Sequence, residues 1–396
     1  MKKFIAIVAS AVLAVSAFSL VACDNTSDED NIKLPSAPSG NYEEVDTSDP
    51  AKKEEFLDEL GQKFDVTKMF GDIASENWSF GLASDINAKV EASIVGHNVQ
   101  TGPDTTTDIS MSGNVSVTSS SKVKLSVATD EDALLPFNIL AAASGNIKGN
   151  INLPDMIYAS MGEQASTIKS LITNFDYTAK TYIDNEYLYA SIPEKLLGLF
   201  PEDAGVPASG KIKLPLEELF GGMMDKDPDY DYSYSGTGIK LLDDAIVENP
   251  GMDISSYIDT FFSMLGQYNV SVSVSTDNGY TVKLNAGIDS VYALVADLIG
   301  DGATEETVKE LVAQYGNVSS CKIEAYLSVD DNGLFNGLGF GLYVAATANV
   351  KAGSIGEYVP ALTGSAKVQL GVSFARYDGA ITLPSDLSSY VDVTAD

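Results

Sequence analysis

The chain has few of the residues from which most catalytic and metal sites are built. His97 is the only histidine among 396 residues, which excludes a catalytic triad with a histidine base and any site with several histidine ligands. Arg376 is the only arginine, so no arginine cluster for phosphate recognition exists. The sequence also lacks a Gly-x-Ser-x-Gly motif and a glycine-rich loop that would hold phosphates. We therefore expect a non-catalytic protein without a cofactor.

Basic residues of both kinds are scarce. The chain has 24 Lys and Arg against 56 Asp and Glu, a formal net charge of −32. Such an acidic surface repels nucleic acids and anionic lipid headgroups, so neither is an expected partner. With so many acidic residues, the sequence does not single out a pair of carboxylates that would hydrolyse a glycoside. An unrecognised hydrolase is therefore an alternative.

One acidic segment, residues 225–238, offers a candidate metal site. Its alternating aspartates could converge on Ca²⁺; they are Asp225, Asp227, Asp229 and Asp231. An EF-hand loop needs Gly at its sixth position and Glu at its twelfth, where this sequence has Tyr230 and Gly236. A solvated acidic loop is therefore the favoured interpretation.

The N-terminus combines a basic start with an apolar run and a cysteine. Lys2 and Lys3 precede an apolar stretch over residues 4–22, and Cys23 follows Leu20-Val21-Ala22. This arrangement resembles the lipobox of bacterial lipoproteins. The resemblance implies a signal peptide of residues 1–22, cleavage before Cys23 and a diacylglyceryl thioether on the Cys23 sulfur. An ordinary secretory signal and a transmembrane helix are the alternatives.

The lipoprotein resemblance implies a location in the cell envelope. Cys23 would anchor the chain to the outer face of the cytoplasmic membrane, or to its periplasmic side in a cell with two membranes. In the second case, Asp24 resembles a signal for retention at the inner membrane. No later apolar stretch reaches the roughly eighteen residues of a membrane span. If Cys23 carries lipid, Cys321 has no disulfide partner, and we expect it to be a small buried residue of a strand.

The chain after the signal divides into a tether and a folded part. Residues 23–49 are predicted to be the acylated cysteine and an acidic, disordered tether, because they are rich in acids and show no apolar period. Residues 50–396 are predicted to fold, beginning with a helix capped by Asp49. Two halves, about 50–224 and 239–396, joined by the acidic, tyrosine-rich loop 225–238, are an open alternative.

Strict alternation of apolar and polar residues dominates the folded part. It covers residues 86–94, 109–117, 123–127, 147–153, 175–181, 270–274, 282–288, 323–329, 338–350 and 366–374. Such segments are typical of antiparallel strands with one apolar and one solvated face. Two turns, at residues 277–279 and 330–333, indicate hairpins.

Helical periods separate the groups of strands. They cover residues 56–64, 155–175, 193–200, 258–265, 289–299 and 304–315. All are amphipathic, so each has an apolar side to bury. The predicted fold class is α+β: a large curved antiparallel sheet, half-barrel-like, with amphipathic helices packed on its concave apolar face.

Two local segments resemble those of the LolA/LppX-like lipoprotein fold. Residues 187–193 (Tyr-Leu-Tyr-Ala-Ser-Ile-Pro) are similar to the strand of that group that leads through Ile-Pro into a short helix. Residues 374–384, from Phe374 to Pro384, are similar to its last strand and terminal segment. The resemblance implies a cavity between sheet and helices that holds an acyl chain or another lipophilic molecule. Such domains are usually about half the length of this chain, and no binding residue transfers.

Two functions follow from this fold. The first is a membrane-anchored protein that binds or carries a hydrophobic, lipid-like ligand between sheet and helices. The alternative is a surface adhesion or scaffold protein with a fully packed core, whose polar sheet face or acidic loop binds another macromolecule. A protein partner is not specified by the sequence.

Overall fold

A single thirteen-stranded sheet dominates the fold. The computed structural model describes residues 35–46, 48–72, 75, 77–102, 104–127, 137–198, 200, 205–216, 218, 268, 270–300, 302–354 and 360–393. The strands are β1 (Glu43–Glu44), β2 (Ser79–Gly102), β3 (Thr105–Val127), β4 (Phe137–Asn152), β5 (Phe175–Ile183), β6 (Tyr187–Ser191), β7 (Lys211–Pro215), β8 (Ser271–Ser275), β9 (Tyr280–Ala286), β10 (Gly316–Val329), β11 (Phe335–Val350), β12 (Ala361–Arg376) and β13 (Val391–Asp392). The helices are α1 (Pro50–Lys63), α2 (Val66–Met69), α3 (Asp155–Ser160), α4 (Ala165–Ile172), α5 (Glu194–Leu197), α6 (Ile288–Ile299) and α7 (Glu305–Tyr315). The predicted α+β class with one large antiparallel sheet is confirmed.

The strand order is β1-β8-β9-β10-β11-β12-β2-β3-β4-β5-β6-β7-β13. Strands β2 to β7 form one meander and β8 to β12 form another, each running through antiparallel neighbours. The two meanders join where β12 pairs with β2, from Ala361 opposite His97 to Arg376 opposite Leu82. Only β13 runs parallel to its neighbour, β7, among the described pairs. The two predicted halves thus contribute to one continuous sheet, and the loop 225–238 lies outside the described residues.

The alternating segments form strands as the sequence predicts, but several strands are much longer than their segments: β2, for example, begins seven residues before and ends eight residues after residues 86–94. Residues 109–117 and 123–127 belong to one strand, β3, which has 23 residues, while β2 has 24. The hairpin at residues 277–279 has positive φ at Asn278 and Gly279, 58° and 115°. A Cβ at Gly279 would collide with the Val329 carbonyl oxygen, so this turn requires glycine.

Two helices begin where the sequence places their caps. Asp49 precedes α1, and its Oδ1 accepts a hydrogen bond from the Ala51 backbone N–H at 3.0 Å. Thr304 precedes α7, and its Oγ1 accepts from the Thr307 backbone N–H at 3.2 Å. These caps satisfy backbone donors that have no partner inside the helix.

Other helix predictions need correction. The single helix over residues 155–175 is wrong: α3 ends at Ser160, Gly162 has a φ of 60°, and α4 ends at Ile172 before β5. Glycine tolerates that backbone angle and breaks the helix there. Asp289 does not cap α6, which begins at Ile288 after Gly287. The helix predicted at 193–200 is shortened to α5, and residues 258–265 lie outside the described residues.

The predicted disordered tether also needs correction at its C-terminal end. Glu43 and Glu44 form β1 and pair with Val274 and Ser273 of β8. Both glutamates are exposed, and this segment is held by backbone hydrogen bonds to β8 and by Val45, which packs against the main core. Residues 43–46 therefore belong to the folded part of the chain.

The main hydrophobic core lies where α1 meets the β8–β11 part of the sheet. Buried apolar residues of both layers pack together here: Phe56, Leu60, Phe64, Met69, Val272, Tyr280, Val282, Val329 and Phe335. A smaller cluster, centred on Leu188, Leu214 and Leu216, lies at the β6–β7 side. Helices α6 and α7 contact each other and β10. Among the helices that the structure describes, none has the length and apolar character needed to cross a bilayer.

Candidate functional site

One side of the central strands exposes large apolar side chains, and we call this side the apolar face. Six of its residues have between 36% and 44% of their surface exposed: Val90, Ile94, Met111, Ile147, Leu338 and Phe340. They come from four strands, β2, β3, β4 and β11. Scattered apolar residues are normal at a protein surface, but a contiguous apolar patch marks a place where something binds.

Strand register shows that these six side chains share one side of the sheet. Met111 lies opposite Ile94, and Phe340 lies opposite Val372, which in turn lies opposite Ile86 of β2. Leu338 lies opposite Phe374, which lies opposite Ser84 of β2. Ile147 lies opposite Val117, which lies opposite Ala88 of β2. Since Ser84, Ile86, Ala88, Val90 and Ile94 differ by even numbers along β2, all of them point to the same side.

The opposite side of the same strands, the polar face, is made of hydroxyl, amide and charged groups. Asn146 Nδ2 donates to Asp176 Oδ1 at 2.6 Å and to Thr178 Oγ1 at 2.9 Å. Ser93 and Ser365 hydroxyls lie 2.9 Å apart. Cross-strand hydrogen bonds of this kind keep the polar face ordered while it stays exposed to water.

A pocket of about 270 Å³ lies at the end of the sheet where β2 begins and β12 ends. Phe70, Trp78 and Phe80 form its aromatic part, and Leu334 of the β10–β11 turn and Arg376 complete it. The rings of Phe70 and Phe80 meet edge to face, with centroids 5.2 Å apart. The Trp78 indole N–H donates to the Phe70 carbonyl oxygen at 2.8 Å. The aromatic pocket thus contains the only tryptophan and the only arginine of the chain.

Acidic groups outnumber the single base around this aromatic pocket. Arg376 Nε donates to Asp378 Oδ1 at 3.2 Å, and its Nη1 lies 3.8 Å from Asp330 Oδ2. Asp72 also lines the pocket. Since the guanidinium already has two carboxylate neighbours, the pocket does not suit an anionic ligand.

The structure also gives the surroundings of His97 and Cys321. His97 lies in β2, where Nδ1 is 3.0 Å from Asp108 Oδ2 and Nε2 is 2.8 Å from Thr363 Oγ1. Cys321 is half-buried rather than buried, and it lies opposite Val344 on the apolar face. Burial raises the pKa of the Cys321 thiol, which disfavours the reactive thiolate.

The remaining candidate residues have no described surroundings. Cys23, Asp225, Asp227, Asp229 and Asp231 lie outside the described residues. Within the described part of the chain, no group of three or more His, Cys, Asp or Glu side chains is arranged to hold a metal ion. No known protein family and no curated protein sequence matches the chain.

The sequence contained only a weak signal for the aromatic pocket. Trp78 and Arg376 are each the sole residue of their type, and single residues form no pattern. They meet because Arg376 of β12 lies opposite Leu82 of β2, only a few residues from Trp78. That pairing joins the two ends of the folded chain.

Proposed function

We propose that the protein is a non-catalytic, membrane-anchored lipoprotein of the bacterial envelope that binds or carries a hydrophobic, lipid-like ligand. The observation that carries this proposal is the apolar face, with six large apolar side chains exposed in register on neighbouring parts of one sheet. The lipobox resemblance at Cys23 supports the anchor. In this proposal the sheet curves so that the apolar face is concave, and helices border the ligand.

Burial of apolar surface drives the proposed binding. An acyl chain on the apolar face would remove Val90, Ile94 and Phe340 from water, and each Å² of apolar surface removed contributes about 25 cal/mol. The six exposed side chains are all apolar, so a hydrocarbon that lies along them covers apolar groups. The ligand is expected to be neutral or zwitterionic, because the net charge of −32 opposes an anionic headgroup.

The proposed location follows from the anchor. Acylated Cys23 holds the protein on the outer face of the cytoplasmic membrane, or on the periplasmic side of that membrane where a second membrane exists. Removal of the signal peptide with Lys2 and Lys3 lowers the net charge from −32 to −34. Two acyl chains give stable attachment, whereas one chain binds a membrane reversibly.

A surface scaffold is the second candidate, and the polar face favours it. Hydroxyl and amide groups such as Ser93, Ser365 and Asn146 are exposed there and would form hydrogen bonds with a polysaccharide or protein. The scaffold hypothesis also requires a fully packed core, which the exposed apolar face does not favour.

Native mass spectrometry of the mature protein, extracted from its host, tests the choice between the two candidates. If the protein is a carrier, its native mass should exceed its denatured mass by the mass of a bound lipid. Acyl chains on Cys23 are covalently bound and contribute to both masses. A native mass that equals the denatured mass would contradict the carrier and favour the scaffold. A denatured mass without acyl chains would contradict the anchor.

A further inference from the structure

The folded chain holds its N-terminal segment at one particular end of the sheet. The backbone N–H and the Nδ2 of Asn41 both donate to Asp277 Oδ2, at 2.8 and 3.1 Å. Asp277 lies in the β8–β9 turn, and Glu43 then pairs with Val274. Because β1 runs antiparallel to β8, the chain before Asn41 leaves the sheet at the β8–β9 turn. We call this end of the sheet, with the turns 277–279 and 330–334 and Arg376, the tether end.

The length of chain between the folded part and the proposed anchor is short. Eleven residues lie between Cys23 and Pro35, the first described residue. Fully extended, they span at most about 40 Å. The described part of the chain therefore begins within about 40 Å of any membrane that holds acylated Cys23.

The aromatic pocket lies at the same end. Tyr280 at the start of β9 pairs with Val329 at the end of β10, which brings the two turns side by side. Leu334 of the second turn lines the pocket together with Arg376. Five strand spacings of about 4.8 Å separate β8 from β2, so the pocket is roughly 24 Å from the point where the chain leaves.

The rim of the pocket has the chemistry of a membrane interface. Phe70 has 37% of its surface exposed, and Trp78 lies beside it with its indole N–H already bonded to the Phe70 carbonyl oxygen. Aromatic rings of this kind concentrate at the headgroup level of bilayers. The acids around the pocket, Asp72, Asp330 and Asp378, favour a zwitterionic over an anionic bilayer.

We propose that the tether end is the membrane-contacting surface of the protein, with Phe70 and Trp78 in the headgroup layer of a zwitterionic bilayer. The proposal rests on the acyl anchor of the proposed function. It adds which end of the sheet touches the bilayer and which side chains enter it. The opposite end of β10 and β11, where α7 joins the sheet, then points away from the membrane.

Trp78 makes the proposal directly measurable, because it is the only fluorescent indole in the chain. The mature acylated protein would be reconstituted into phosphatidylcholine vesicles whose acyl chains carry bromine, a contact quencher. We expect Trp78 emission to fall relative to vesicles without bromine. Addition of phosphatidylglycerol, an anionic lipid, should reduce the quenching because of the acids at the rim.

A matched pair of variants identifies the contacting residue. Phe70→Ser should lose most of the quenching. The control, Leu311→Ser, replaces a side chain that is 51% exposed on α7, near the opposite end of β10. This variant should retain the quenching of Trp78. Circular dichroism checks that both variants fold.

The outcomes separate this proposal from the proposed function. Equal emission in brominated and plain vesicles, with acyl chains present on Cys23, would overturn the membrane contact and leave the ligand-binding proposal standing. Equal loss of quenching in both variants would overturn the role of Phe70. A mature protein without acyl chains would overturn the anchor and this proposal with it.

Discussion

Replacement of two phenylalanines of β11 by alanine tests whether the apolar face is open to a ligand. Phe335 belongs to the main core and is 8% exposed, whereas Phe340 belongs to the apolar face and is 38% exposed. Both lie in the same strand, so differences in strand propensity cancel. The two variants thus compare a packed site with an open one.

The burial of each ring sets the expected loss of stability. Phe335→Ala removes a buried ring and leaves a cavity, which should lower the free energy of unfolding by about 3–5 kcal/mol. At Phe340 roughly 60% of the residue surface is covered and the void opens to water, so only the transfer contribution of about 1–2 kcal/mol is lost. Urea unfolding of the two mature variants, followed by circular dichroism, measures both values.

The exposed part of Phe340 sets the expected loss of ligand affinity. If a bound acyl chain covers the exposed 38% of the Phe340 surface, Phe340→Ala loses about 0.6–1.1 kcal/mol of binding, a three- to sixfold weaker affinity. Displacement of a fluorescent fatty acid from the delipidated protein measures this change. A stability loss at Phe340 as large as at Phe335 would show that the face is covered, and an unchanged affinity would show that no ligand binds there. Either result would refute the reasoning.

Three further predictions concern a cap, a carboxylate and the anchor. Asp49→Ala removes the cap of α1 and should cost about 1 kcal/mol of stability in urea unfolding, whereas Asp49→Asn, which keeps a capping oxygen, should cost less. The pKa of Asp108 lies below its usual range, mainly because its carboxylate accepts a hydrogen bond from the Asn98 backbone N–H and, to a smaller extent, because it is hydrogen-bonded to His97. The ionised form of Asp108 therefore stabilises the fold. That contribution is present above the ordinary pKa of 3.8 and is lost as pH falls through the lowered value, so wild type and Asp108→Asn should differ at neutral pH and converge in acid; a constant difference would contradict the assignment. Cys23→Ala should move the protein from the membrane fraction to the soluble fraction, and retention by the membrane would contradict a lipid anchor.

Local patterns in the sequence were sufficient for most strands and for two helix starts. The alternation in residues 86–94 and 338–350 predicts β2 and β11, because a half-buried strand must change sides at every residue. The caps at Asp49 and Thr304 predict α1 and α7 for an equally local reason. These features depend only on neighbours along the chain.

Features without a side-chain period escaped prediction. The pairing of Glu43 and Glu44 with β8 uses backbone groups, which every residue carries, so the acidic side chains suggested a tether instead. The break at Gly162 was missed because the apolar spacing continues on both sides of it. The surroundings of His97 depend on Asp108 and Thr363, which two other strands bring to it.

The candidate site illustrates the same division most clearly. Alternation in Val90, Ile94 and Phe340 was enough to show that the strands have one apolar side. Which strands become neighbours, and how much of that side stays exposed, was decided by the pairing of β12 with β2 and by the position of α1 over β8 to β11. That pairing also brings Arg376 to Trp78. Backbone hydrogen bonds between strands carry no side-chain identity, so contacts between the two ends of the chain become visible only in the folded molecule.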